Sequence, residues 1–176
     1  FDTTRPAFVR AAVVGPAGTR AVPPSGVLSD QPETAHRIAV VGLRAGVPYT
    51  FELTAQAGSE TVRSSALAYT PASLPSDLPP IDVRVSEPDE MEPGLTYLPV
   101  TRGLIDQNGV ILMLDAEGQV VWYHRVPGPI DLAKQLENGN FLFLGNGALF
   151  EIDLLGNVVQ SWDPVEIGVD AFHHDV

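Results

Sequence analysis

ILMLDAEGQVVWYH, residues 111–124, decides the fold of this chain, because LFEIDLLGNVVQSW at 149–162 repeats its pattern 38 residues later. Each copy contains an apolar run, a D-x-x-G tetrapeptide and a second apolar run. The matched residues are Asp115 with Asp153, Gly118 with Gly156, and Val120–Val121 with Val158–Val159. This pattern predicts a β-hairpin in each copy, with the Asp starting the turn and the Gly at its positive-φ position.

A third hairpin is predicted between the two copies, in AKQLENGNFLFLGNG (133–147), with Asn138-Gly139 as its turn. A repeat of about 40 residues with several strands per unit is typical of a β-propeller. We therefore expect residues 94–176 to form about the first two blades of one. A propeller needs at least about four blades to close. The further blades would come from the same or another chain, and the chain as given is expected to be an N-terminal part.

Two blades alone would expose strand edges and an apolar blade face, which favours self-association. Residues 1–176 on their own are therefore expected to aggregate or to form oligomers, and a homo-oligomer is one possible assembly.

The first part of the chain predicts a different β-domain. Short strands are predicted within residues 1–72, and the spacing Leu43, Gly46, Tyr49 resembles a tyrosine corner, whose hydroxyl returns to the upstream backbone. We interpret 1–72 as a fibronectin type III or immunoglobulin-like sandwich, incomplete at its N-terminal end. The predicted strands are FVRAAVV (8–14), HRIAVVGL (36–43), YTFELTAQ (49–56) and ETVRSSALAYTP (60–71). Residues 73–93, rich in proline and acidic residues, are predicted to be a linker.

Composition supports an all-β class and narrows the function. Gly and Pro number 16 each, and runs of helix-forming residues are missing. Cys is absent, which removes disulfides and thiolate metal sites. The formal net charge of −12 lies wholly in residues 81–176 and disfavours nucleic acid as a partner. No apolar run approaches the roughly 20 residues of a membrane helix, and no membrane span is expected.

The stretch FHHDV (172–176) carries the most reactive side chains of the sequence. In the repeat it takes the place of IDLAKQ (130–135), which leads into the innermost strand of a blade. If it is extended, His173 and Asp175 share one face, and Phe172, His174 and Val176 lie on the other. The second face is mostly apolar and is typical of packing between blades. Three interpretations remain open: structural histidines, a metal site, or an acid/base or anion-binding role at a channel mouth.

Other polar and aromatic residues are expected to be structural. We interpret His124 as exposed or at a blade edge, Arg125 as a surface residue, and Trp122 and Trp162 as packing anchors between blades.

The second region resembles the arylsulfotransferase family. The stretches that carry the resemblance are GLTYLPVTRG, GVILMLDAEGQVVWYHRV, LENGNFLFLGNG, EIDLLGNVVQSW and FHHDV. The resemblance implies a bacterial exported enzyme, periplasmic or extracellular, that moves a sulfuryl group from an aryl sulfate to a phenol. It also implies a histidine as transient acceptor, no nucleotide donor, no other cofactor and no metal.

The resemblance further implies that the acceptor histidine comes from a later blade. His173 and His174 would then support the chemistry, with Asp175 orienting an imidazole. The main alternative is a non-catalytic exported propeller used for binding or assembly. Quinone-dependent dehydrogenases, which share such repeats, are a third class.

Overall fold

The structure, a computed structural model, describes residues 2–15, 32–101 and 108–172. Within these ranges every regular element is a β-strand and every strand pair is antiparallel. The predicted all-β class is confirmed. The chain divides into two compact units, Phe1–Ser73 and Leu74–Val176.

The first unit contains one five-stranded sheet in the order β2-β1-β3-β4, with β5 also pairing β3. Its strands are β1 (Asp2–Val14), β2 (Glu33–Ala35), β3 (Tyr49–Ala57), β4 (Glu60–Arg63) and β5 (Leu67–Tyr69). Ala7, Val9 and Ala11 of β1 are buried and their neighbours are exposed or half-buried. This period of two shows that one face of the sheet is covered.

Two local predictions in the first unit have opposite outcomes. The Tyr49 hydroxyl accepts a hydrogen bond from the backbone N–H of Arg44 at 2.9 Å, so the predicted return of the tyrosine to the upstream backbone is confirmed. The strand predicted over residues 36–43 is wrong, since that segment forms no ladder. Its backbone turns at Gly42, where φ is 80°, a value outside the extended region.

The second unit contains two sheets, one of three strands in the order β6-β7-β8 and one of four in the order β12-β11-β10-β9. The first sheet comprises β6 (Thr96–Val100), β7 (Gly109–Leu114) and β8 (Val120–Val126). The second comprises β9 (Ile130–Gln135), β10 (Phe141–Gly145), β11 (Ala148–Ile152) and β12 (Val158–Trp162). The two sequence repeats are therefore the β7–β8 and β11–β12 hairpins.

The two repeated turns have the same hydrogen bonds. The Oδ1 of Asp115 accepts from backbone N–H groups two and four residues later at 3.1 and 2.9 Å, and that of Asp153 does so at 2.8 and 2.9 Å. Gly118 and Gly156 each donate to the carbonyl of their Asp at 2.9 Å, with φ of 75° and 81°. The predicted D-x-x-G turn chemistry is confirmed in both copies.

Two Asn-Gly pairs form different turns. The predicted hairpin around Asn138-Gly139 is present, and Gly139 adopts φ 86° while donating to the carbonyl of Leu136. At Asn146-Gly147 both residues have positive φ, 51° and 80°, as a two-residue type I′ hairpin requires. This second turn joins β10 directly to β11, and the sequence interpretation did not single it out.

The main core of the second unit lies between its two sheets. Both sheets contribute to it, through Ile111, Met113, Val121 and Val126 on one side and Ile130, Phe141, Phe143 and Ile152 on the other. Gly109 marks a close approach, because a Cβ there would collide with the buried side chain of Ile130. Full burial of a side chain such as Phe141 stabilises the fold by roughly 1.5–3 kcal/mol.

Each sheet also has an apolar outer face. On the three-stranded sheet, Val110, Leu112, Leu114 and Val120 form this face together with Leu98 and Val100 of the same sheet, and Leu78 and Ile81 pack against it. Residues 78 and 81 belong to the segment that was predicted as a linker, and Ser86 also bonds there, to the carbonyl of Ala116 at 3.0 Å. The segment after residue 73 therefore packs along the second unit.

Candidate functional site

The predicted site residues His173, His174 and Asp175 lie outside the described residues. The described chain ends at Phe172, which is half-buried and packs against Leu142, Leu144 and Leu149 on the outer face of the four-stranded sheet. The sequence interpretation placed Phe172 on an apolar packing face. The observed contacts of Phe172 agree with this prediction. They place Phe172, the residue before His173, on that outer face.

The segment that FHHDV was aligned with forms β9. This strand borders the four-stranded sheet, and it begins beside the end of β6, where the Ile130 N–H donates to the Thr101 carbonyl at 3.0 Å. The expected connection from the last strand of one sheet to the first strand of the next is therefore observed at residues 126–130. The same role for 172–176 stays a prediction.

An unbroken series of rings lies between the two sheets. Tyr97 stacks on Phe141 with centroids 5.4 Å apart, and Phe141 stacks on Trp122 at 5.3 Å. The indole N–H of Trp122 donates to the Leu154 carbonyl in the β11–β12 turn at 2.8 Å. The predicted packing role of Trp122 between repeats is confirmed, and its hydrogen bond fixes one sheet against a turn of the other.

The series continues through a histidine. The ring of His124 stacks on Trp122 at 6.1 Å and lies 6.1 Å from Phe143. It is half-buried, and burial lowers its pKa from the ordinary value. Of the two alternatives for His124, exposure is therefore wrong, whereas a place at an edge agrees with β8, which is an edge strand of its three-stranded sheet. Strand alternation placed His124 with Trp122 on one face, but which sheet faces them could not be read from the sequence.

Tyr97 has a titratable phenol in the packed region, and the sequence interpretation did not name it. Its hydroxyl is buried and has no hydrogen-bond partner among the described residues. Burial raises the pKa of this phenol, so it stays neutral across the physiological range. An alternating pattern in β6, with Tyr97 as an inward residue, was the available signal.

The guanidinium of Arg125 is already paired with a carboxylate of this chain. Its Nη2 donates to Asp77 Oδ1 at 2.6 Å, and this guanidinium holds the pKa of the Asp77 carboxyl below its usual value. The pair ties residues 74–80 to β8. The prediction that Arg125 is a structural surface residue agrees with this contact.

The described residues contain no group of three or more His, Asp and Glu side chains arranged to hold a metal ion. They also contain no helix long and apolar enough to cross a membrane.

The fold and the repeat define an all-β protein whose second unit is built from repeated antiparallel hairpins. Residues 82–176, just over half of the chain, match the model of a family described as arylsulfotransferase (ASST). The chain belongs to the arylsulfotransferase family. No curated protein and no solved structure matches it. Membership supports an arylsulfotransferase-like function in general, with aryl sulfates and phenols as the substrate classes.

Proposed function

We propose that this chain forms part of an enzyme that transfers a sulfuryl group from an aryl sulfate to a phenol. The observation that carries the proposal is the family match over residues 82–176. The two sheets of the second unit are then consecutive blades of a β-propeller. The first unit is a fibronectin type III or immunoglobulin-like sandwich, an assignment supported by the tyrosine corner at Tyr49.

The repeat supports further blades. Ile111 pairs with His124 on the face that the four-stranded sheet covers, and the matching pair in the second copy is Leu149 with Trp162. That second pair belongs to the apolar outer face of the four-stranded sheet. Equivalent positions call for an equivalent neighbour, so another sheet, from the same or another chain, packs there.

The reaction proceeds in two displacements. A neutral imidazole nitrogen attacks the sulfur of the donor, an N–S bond forms, and the S–O bond to the donor breaks with release of its phenolate. The acceptor phenol then loses its proton to a base, its oxygen attacks the same sulfur, and the N–S bond breaks. The sulfuryl group changes partner in each step and nothing is oxidised or reduced.

Roles follow for the candidate residues. A further blade supplies the attacking histidine. His173 and His174 contribute a cationic or hydrogen-bonding group toward the sulfuryl oxygens, which carry the negative charge of the transition state. Asp175 orients an imidazole by accepting its second N–H. No cofactor is needed, since the aryl sulfate itself is the activated donor.

Family membership favours an exported protein, periplasmic or extracellular, as the place of action. The chain has no cysteine, so its folding would not depend on disulfide formation there.

The test uses the protein at its full natural length, an aryl sulfate with a coloured phenolate, and a second phenol as acceptor. We expect colour release that depends on the acceptor and, without acceptor, a sulfated histidine detected by mass spectrometry. His173→Gln should lower kcat by roughly 10²-fold or more, and His36→Gln, in the first unit, should not. Absence of both turnover and labelling would contradict the proposal and favour a binding propeller.

A further inference from the structure

The imidazole of His124 fills a position between the two sheets of the second unit. Trp122 lies along one side of the ring at a 17° interplanar angle, and Phe143 of the opposite sheet meets it at 46°. Gly156, in the β11–β12 turn, lies close behind, since a Cβ there would be 3.0 Å from His124 Nδ1. The ring is thus in contact with its own sheet and with two elements of the other.

The surroundings of this ring are apolar or already engaged. On β7 the cross-strand partner is Ile111, and on β10 it faces Phe143. The titratable group in the adjacent turn is Asp153, whose carboxylate oxygens accept from Leu155, Asn157 and the Asn157 amide. The phenol of Tyr97, further along the ring series, remains neutral.

The Asp153 carboxylate would favour a cationic ring, but its oxygens are already engaged by hydrogen bonds within its own turn. Stacking on Trp122 would also favour the cation. Burial acts in the opposite direction and lowers the pKa of His124 from its ordinary value.

We propose that His124 makes the packing between these two sheets sensitive to acid. At neutral pH the ring is uncharged and packs as an aromatic residue. When it is protonated, a charge lies between the sheets with no ion pair to it among the described residues, and the interface loosens.

The direction of the pH effect follows from linkage. The pKa of His124 is lower in the folded chain than its ordinary value of 6.5, so the unfolded chain binds the proton first. The contribution of His124 to the free energy of unfolding is then fully present above about pH 6.5 and falls as the pH drops below it. The loss ends once the pH passes the folded pKa.

The test compares the wild-type chain with His124→Gln, a side chain of similar length that does not titrate. Thermal unfolding is followed between about pH 7.5 and pH 5. We expect the Tm of the wild type to fall by at least about 2 °C more than that of His124→Gln over this interval. His36→Gln, which removes a histidine of the first unit, should keep the wild-type slope. Parallel curves for wild type and His124→Gln would overturn the proposal.

A second measurement avoids any dependence on how well the variant folds. In the wild-type chain, the ring resonances of His124 are titrated by NMR, and the tryptophan emission is followed over the same pH range. We expect the ring to titrate below its ordinary pKa and the tryptophan emission to change over the same interval. A ring that titrates at or above 6.5 would be incompatible with the proposal.

Discussion

Two tyrosines of this chain show how the same side chain can stabilise or destabilise a fold. The hydroxyl of Tyr49 accepts a backbone N–H from Arg44, which otherwise would need another partner. The hydroxyl of Tyr97 is buried and has no partner among the described residues. A buried polar group without a hydrogen bond costs free energy, whereas a satisfied one contributes modestly. Removal of the two oxygen atoms should therefore have opposite effects.

We expect Tyr97→Phe to leave the stability of the second unit unchanged or to raise it by up to about 1 kcal/mol. The aromatic stacking on Phe141 is preserved in this variant. Tyr49→Phe, the matched control, should lower the stability of the first unit by about 1 kcal/mol or more, since it leaves the Arg44 N–H without its acceptor. Urea unfolding of each variant gives both values. A loss of more than about 1 kcal/mol in Tyr97→Phe would show that its hydroxyl has a partner.

At the scale of the element, the repeated turns are the most strongly specified part of the chain. Asp115 and Asp153 each bind two backbone N–H groups, and glycine provides the positive φ that closes the turn. The two copies differ in burial, because Asp115 is 6% exposed while Asp153 is half-buried. An unsatisfied N–H costs more where water is excluded.

We expect Asp115→Ala to lower the free energy of unfolding by roughly 1–3 kcal/mol, since it removes the acceptor of two turn amides. Asp115→Asn retains the oxygen and should lose less. Asp153→Ala, in the more accessible copy, should lie between Asp115→Asn and Asp115→Ala. The comparison is made by chemical denaturation at neutral pH. If the alanine and asparagine variants of Asp115 were equally stable, the side-chain oxygen that asparagine retains would not be what holds the turn.

The same elements show what could be read from the sequence. The D-x-x-G turns were predictable because Asp and Gly act within five residues, and no distant partner is needed. The strand predicted over 36–43 is absent because alternation predicts which side chains share a face, but it does not identify the strand that would pair with the segment. His124 was misplaced for a related reason. Its exposure depends on Phe143 and Gly156, which reach it only after the second sheet packs against the first.

The candidate site marks the limit of that approach. The repeat alone indicated where FHHDV would fall, and the contacts of Phe172 agree with an apolar face there. The roles proposed for His173, His174 and Asp175 would depend on groups from other sheets, which local spacing does not encode.

At the scale of the whole molecule, the half of the chain that carries the net charge also contains a strand edge with exposed apolar side chains. The β12 strand borders its sheet and exposes Val158 and Val159, by 60% and 53%. A sheet edge with exposed β-branched residues pairs readily with another strand. The net charge of −12, which lies in residues 81–176, acts against such pairing through repulsion. Salt screens this repulsion, so association should increase with ionic strength.

We expect residues 1–176 to self-associate, and Val159→Lys to weaken the association by placing a charge on the exposed strand. Val85→Lys is the matched control, because Val85 is 78% exposed but lies outside the strands. Light scattering at low and high salt measures the apparent mass. A wild-type chain that stays monomeric in both conditions would argue against pairing between the exposed sheet edges of two chains.

The Asn146-Gly147 turn bears on the chemical lifetime of the protein. Asn followed by Gly is prone to deamidation, because the glycine nitrogen reaches the Asn side-chain carbonyl without obstruction. The other two Asn-Gly pairs of the sequence have hydrogen-bonded Asn side chains: Asn138 donates to Glu151 and accepts from the Asn140 N–H, and Asn108 accepts from the Gly128 N–H. Asn146 lies exposed at a hairpin tip. Isoaspartate at 146 would lengthen the backbone of a two-residue turn between adjacent strands of the four-stranded sheet. Ageing of the chain would therefore begin by disturbing the β10–β11 register, while adding negative charge to the half that already carries the excess.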